Sequence, residues 1–135
     1  MLPYAQIFAD YMDREDISYT EQDERVLKIV YNGDNLETIP VYVFFDKDGD
    51  PYVQFKCWNI ANFKTNREKG IDVCNQLNHE YRWVRFYIDN DNDVVADIDA
   101  VIDEDTCGDV CFSLVGRVVT IIDEAYPTIA KARWA

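Results

Sequence analysis

The residues best spaced for metal chemistry are two alternating acidic sets, Asp89, Asp91 and Asp93, and Asp46, Asp48 and Asp50. A D-x-D-x-D run opens a calcium loop of the EF-hand kind, but that loop needs Gly at its sixth position and Glu at its twelfth. Counted from Asp89, those positions hold Val94 and Ala100. Asp and Asn also tolerate the left-handed backbone region and bond their own main chain, which is what tight hairpins use. The turn explains both sets better, so neither a metal site nor a cofactor is expected.

Nucleophilic chemistry has few carriers. The chain holds one histidine, His79, and its serines are Ser18 and Ser113, which is little for a hydrolase triad. No glycine-rich phosphate loop occurs. The cysteines, Cys57, Cys74, Cys107 and Cys111, include no CxxC pair. Cys107 and Cys111 share a face if helical, and they read as small buried hydrophobes in a reducing compartment rather than as metal or redox groups. With 26 acidic residues, carboxylate pairs are too abundant to discriminate. The expectation is a protein that is not an enzyme.

The elements that position these groups read as one domain over 1–135, with 48% hydrophobic residues to form a core. Tyr4, Ile7, Phe8, Tyr11 and Met12 recur at helical spacing over Pro3 to Asp13. The polar segment Arg14 to Glu24 follows, with a short extended piece at Ile17 to Tyr19, and then a strand at Arg25 to Asn32. Ile39 to Asp46 and Pro51 to Trp58 form a hairpin around Lys47-Asp48-Gly49, pairing Val43 with Val53 and Val41 with Phe55. Asn66 caps a helix to about Glu80, with Ile71, Cys74, Leu77 and Asn78 as its inward stripe. Trp83 to Ile88 and Val94 to Ile102 alternate as a second hairpin. With Ile88 opposite Val94, Arg85 faces Asp97; a shift of two residues puts it opposite Asp99, and either way an exposed ion pair is expected. Thr106 caps a last helix whose apolar residues go nearly all round. A helix of that kind is buried on most sides, by the domain's other helices or by self-association. Gly116 would permit close approach, and Pro127 stops the helix, with Thr128 to Arg133 adding a last turn.

In the first hairpin Val41, Val43, Phe45, Val53, Phe55 and Cys57 share one face. Tyr42, Phe44, Tyr52, Gln54 and Trp58 share the other, which is unusually aromatic for a wet surface. Either a helix or loop covers it, or it docks another chain. Tyr42, Phe44, Tyr52 and Trp58 are therefore the candidate binding residues.

Net charge is −13, which opposes nucleic acid and anionic membranes. There is no apolar run long enough to span a bilayer and no signal-peptide pattern at the N-terminus, so the expected location is cytoplasmic. The charge serves solubility, or a basic partner.

The fold class implied is α+β: an antiparallel sheet of about five strands with helices, in the order α-β-β-β-α-β-β-α. Asn75-Gln76-Leu77-Asn78, Arg82 to Asp89 (RWVRFYID), the acidic turn, Val94-Val95-Ala96-Asp97, the DKDG turn at Asp46 to Gly49 and the ending Ile122 to Pro127 together resemble the YbjN family. That family has the type III secretion chaperone-like fold and is described as bacterial sensory transduction regulators. The resemblance covers essentially the whole chain; the segment Arg14 to Glu24 and the cysteines lie outside it. It implies a non-enzymatic protein-binding or regulatory role and carries over no site residues. The partner would be a protein or peptide, a second copy of the chain included as a homodimer. The alternatives are an acidic immunity-type protein that neutralises a basic partner, and an enzyme using carboxylates.

Overall fold

The computed structural model describes residues 1–134. The chain runs α1 (Pro3–Arg14), β1 (Thr20–Asp23), β2 (Val26–Tyr31), β3 (Ile39–Phe45), β4 (Tyr52–Cys57), α2 (Arg67–Glu80), β5 (Arg85–Ile88), β6 (Val94–Val101) and α3 (Cys107–Trp134). The strands form one antiparallel sheet in the order β1-β2-β3-β4-β6-β5. The α+β class and its order hold, with six strands instead of about five. The extra strand is β1, displaced from the expected Ile17 to Tyr19. Its residues, TEQD, are all exposed, so no apolar alternation marks them.

The period-two pattern places Val41, Val43, Phe45, Val53, Phe55 and Cys57 on the covered face, all at most 3% exposed. Over them lie α3, against β3, β4 and β6; α1, against β2 and α3; and α2, against β5 and α3. Phe8, Phe45, Phe55, Phe63 and Phe86 are fully buried, each worth about 1.5–3 kcal/mol of transfer from water. The apolar last helix lies between α1 and α2 on the sheet and is not wrapped on all sides, since Ser113, Arg117, Thr120 and Glu124 form an exposed stripe along it. Its buried residues include Cys107, Cys111, Val115, Val118, Ile122 and Ile129.

Several local expectations are corrected. The β3–β4 register is Val43 opposite Phe55 and Phe45 opposite Val53, two residues from the expected pairing. Asp46 extends the pairing by donating its N–H to the Tyr52 carbonyl at 3.2 Å, and its Oδ2 accepts the Asp48 and Asp50 N–H groups. The loop is therefore Lys47 to Pro51, with Gly49 left-handed at φ 82°. An even shift preserves both faces.

In α2 the buried residues are Gly70, Val73, Cys74 and Leu77, while Ile71 is 49% exposed. Gly70 sets this rotation, because a Cβ there would lie 2.8 Å from Ile88 Cδ1 and 2.9 Å from Phe63 Cγ. Asn66 caps α2 as expected, accepting the Lys69 N–H. Trp83 has φ 79° and does not extend β5. At the start of α3 the Asp103 carboxylate accepts both the Thr106 N–H and hydroxyl, so Asp103 holds the turn expected of Thr106. Close approach to α3 occurs at Gly108, against the Tyr11 ring, and not at Gly116, which has open space. Pro127 lies inside continuous helix instead of ending it.

Candidate binding face

Among the described residues, no helix covers the outer face of the sheet. Cross-strand pairing lines up one residue from every strand: Thr20, Lys28, Tyr42, Lys56, Asp97 and Arg85, in that order. Neighbours in such a row stand about 4.8 Å apart, so their side chains interact. The flanking row is Val26, Phe44, Gln54 and Asp99.

Aromatic rings sit on this framework. Tyr42 and Trp58 stack with centroids 4.5 Å apart, and Phe44 lies 6.3 Å from Tyr42 and 6.2 Å from Trp58. The Lys28 ammonium stands 5.3 Å from the Tyr42 centroid, and that of Lys56 stands 5.8 Å from Trp58. The stacked pair is thus bracketed by two cations at cation–π range. Arg85 lies over Tyr87 at 4.7 Å. Of the four candidate residues, Tyr42, Phe44 and Trp58 come together. Tyr52 stands apart, 55% exposed and opposite Val101, and lines a neighbouring cleft of about 520 Å³ with Arg25, Phe44, Gln54 and Asp99.

Sequence reasoning missed Lys28, Lys56 and Arg85 as members of this face. The strand pattern already held the signal, because each alternates with buried neighbours. Only the register shows that they share a row with Tyr42. The Arg85–Asp97 pair has the expected partners but a different setting. Arg85 bonds both Asp97 oxygens, at 3.0 and 2.8 Å, and the Asp97 side chain is 2% exposed against 64% for Arg85. The expected exposed pair is half buried because Asp97 sits low in the row while the guanidinium lies over it. The Asp97 hydrogen bond pushes the Arg85 pKa further up.

The acidic turn does structural work. Its carboxylate oxygens lie within 4.8 Å of one another, yet Asp89 Oδ1 accepts the Asp91 and Asp93 N–H groups, and Asp93 Oδ1 accepts the Asn62 amide. Arg67 donates to the Asp89 carbonyl and to Asn92 Oδ1. The turn is thereby latched to the segment that enters α2. Asp46 plays the same part in the other hairpin.

Both sheet edges are protected. Asn78 donates to the Phe86 carbonyl at 3.0 Å and accepts the Phe86 N–H at 2.8 Å, occupying the outward hydrogen-bonding groups of Phe86 in the middle of β5. On the other edge β1 is short and polar and carries a register shift between Glu21 and Asp23. Short, charged, irregular edges resist strand addition.

The cysteines are buried and free. Burial pushes the Cys57 thiol to about 12 and that of Cys74 to about 11, so both stay protonated. Cys107 and Cys111 lie 4.0 Å apart, and the hydrogen bond between them, with burial, pushes Cys111 up. His79 on α2, Ser113 on α3 and Ser18 in the connection between α1 and β1 are all exposed. No helix among the described residues is long and apolar enough to cross a membrane.

A family model described as "Putative bacterial sensory transduction regulator" matches residues 5–131. Among solved structures, the crystal structure of YbjN from E. coli, "a putative transcription regulator", superposes with a TM-score of 0.66 at 12% identity, over 95% of each chain. The Yersinia pestis type III secretion chaperone SycH, in complex with a stable fragment of YscM2, gives 0.49 at 13% identity, over 87% of this chain and 98% of that one. No curated protein sequence matches. With its family pattern spanning nearly its whole length and the same fold in the E. coli protein, the chain belongs to the YbjN family.

Proposed function

We propose that this protein is a non-enzymatic polypeptide-binding module of the cytoplasm, acting as a regulator or chaperone through the outer face of its sheet. The carrying observation is the stacked Tyr42–Trp58 pair with Phe44 on a face that no helix covers. A second supports it: Asn78 on β5 and the irregular β1 leave face docking as the better route than strand addition. Aromatic anchors of this kind dominate binding energies, because large rigid rings bury much area at little entropy cost. Four free buried thiols fit a reducing compartment.

The test is a Tyr42→Ala/Trp58→Ala double variant beside the wild type. Circular dichroism and thermal melting establish that the variant folds, and affinity capture from lysate compares the two. A stoichiometric polypeptide held by the wild type and lost by the folded variant supports the reading. Retention by the variant sinks it. Light scattering on the same samples reads out self-association through this face.

A further inference from the structure

The charges on the outer face run against those of the rest of the chain. Acidic residues outnumber basic ones 26 to 13, yet the row across the sheet carries Lys28, Lys56 and Arg85 against a single acid, Asp97. Asp97 is buried and held by Arg85 through both oxygens. Among the described residues, neither Lys28 nor Lys56 has a carboxylate within ion-pair distance. On a surface with twice as many acids as bases, two lysines without carboxylate partners lie beside stacked rings in one row.

We propose that the occupant of this face is an acidic polypeptide segment with an aromatic or apolar residue among its carboxylates. The apolar residue packs against Tyr42, Phe44 and Trp58, and the carboxylates meet Lys28 and Lys56, which stand two strand spacings apart, about 10 Å. Approach is not prevented by the net charge, because charges beyond about 8 Å are screened at physiological salt. The facing acids bound the site. Asp99 lies in the next row, and Asp89, Asp91 and Asp93 line a cleft that also takes in Phe44, Lys56 and Trp58. Acids this near Lys56 limit how many negative charges the face accepts, so a segment with one or two carboxylates fits it better than a long polyanion. That favours a peptide over a nucleic acid.

This inference rests on the docking face proposed above, and the test separates the two. A displayed random-peptide library is selected on the immobilised wild-type protein, and the enriched peptides are titrated one by one by fluorescence anisotropy. The panel is the wild type, Trp58→Ala, Lys28→Glu/Lys56→Glu, and Lys47→Glu/Lys64→Glu as an off-face charge control. The expected result is acidic peptides with an aromatic residue. Their binding falls tenfold or more in both face variants, is unchanged in the control and weakens with salt. Neutral or basic peptides that depend on Trp58 but not on the lysines would overturn the acidic occupant and leave face docking standing. Enriched peptides indifferent to Trp58, or no enrichment, would overturn both. A single-stranded oligonucleotide bound more tightly than any peptide, through the same lysines, would replace the peptide with nucleic acid.

Discussion

The Asn35 side-chain amide donates to the main-chain carbonyl of Asp123 at 3.1 Å. That carbonyl is the one Pro127 leaves without its helical partner, because proline has no N–H to offer the residue four positions earlier. A loop side chain thus replaces the missing bond of α3, and the helix passes through Pro127 uninterrupted. In return the Asp123 carboxylate accepts the N–H groups of Asp34, Asn35 and Leu36 at 3.1, 2.8 and 2.9 Å. Gly33 is required beside it, since a Cβ there would lie 2.3 Å from Asp123 Oδ1. A double-mutant cycle tests the exchange. Asn35→Ala should cost about 1 kcal/mol in the native background, the net value of one hydrogen bond. It should cost measurably less beside Pro127→Ala, where the helix supplies its own N–H. Equal costs in urea unfolding of the two backgrounds would show that Asn35 does not serve the orphaned carbonyl.

The same carboxylate predicts an acid dependence. Hydrogen bonds from Leu36 and Asn35, with a smaller one from Asp34, hold the Asp123 pKa below its ordinary 3.8. A group depressed in the folded state contributes stability that is fully present above its unfolded value and lost as pH falls through the folded one. The wild type should therefore be more stable than Asp123→Asn at pH 7, with the gap closing below about pH 4 as the carboxylate protonates. Thermal melts of both proteins from pH 7 to pH 2 provide the check, and a gap independent of pH would contradict it.

Period-two alternation made β3 to β6, the buried face of the β3–β4 hairpin and the pairing of β5 with β6 legible from residue types alone, whereas the all-exposed β1 carried no such mark. What escaped was carried by single polar contacts. The β3–β4 register turned on the Asp46 N–H and carboxylate, and α3 ran past Pro127 because Asn35 lies far away in sequence but adjacent in space. The candidate site was half legible for the same reason. Alternation put Tyr42, Phe44, Tyr52 and Trp58 on one face and marked Lys28 and Lys56 as outward too, but that both lysines share a row with Tyr42 depends on the register. Rotation of α2 was misread because Gly70 has no side chain to signal burial.

The three helical glycines should separate cleanly. Alanine is favoured over glycine in a helix by about 1 kcal/mol. At Gly116 nothing opposes that gain, so Gly116→Ala should stabilise by up to about 1 kcal/mol. At Gly70 the added Cβ meets Phe63 and Ile88, and at Gly108 it meets the Tyr11 ring at 2.6 Å. Overpacking of this kind costs about 1–3 kcal/mol, so Gly70→Ala and Gly108→Ala should destabilise. Chemical unfolding of the three variants reads the signs directly, and a stabilising Gly70→Ala would mean that α2 can move away from Phe63.

Asn78 guards β5 by taking both outward groups of Phe86. Asn78→Ala removes two hydrogen bonds, a loss of about 1–3 kcal/mol. It also frees the outward N–H and C=O of Phe86 on the sheet edge. The variant should associate at concentrations where the wild type does not, with amide exchange at Phe86 accelerated in the monomer. Light scattering across a dilution series measures the first effect and hydrogen exchange the second. An unchanged oligomeric state with fast exchange at Phe86 would limit Asn78 to a stabilising role.

Arg85 and Asp97 make the asymmetric case. Removing the arginine leaves a carboxylate that is 2% exposed without its partner, whereas removing the acid leaves an arginine whose side chain is 64% exposed and can turn to water. A fully buried pair broken on one side loses about 3–5 kcal/mol. Solvent around Arg85 reduces that, so about 1–3 kcal/mol is expected for Arg85→Ala, and less for Asp97→Asn, which keeps a hydrogen-bonding oxygen under the guanidinium. Equilibrium unfolding of both variants at pH 7 reads the two costs, and a loss for Asp97→Asn equal to or larger than that for Arg85→Ala would contradict the asymmetry.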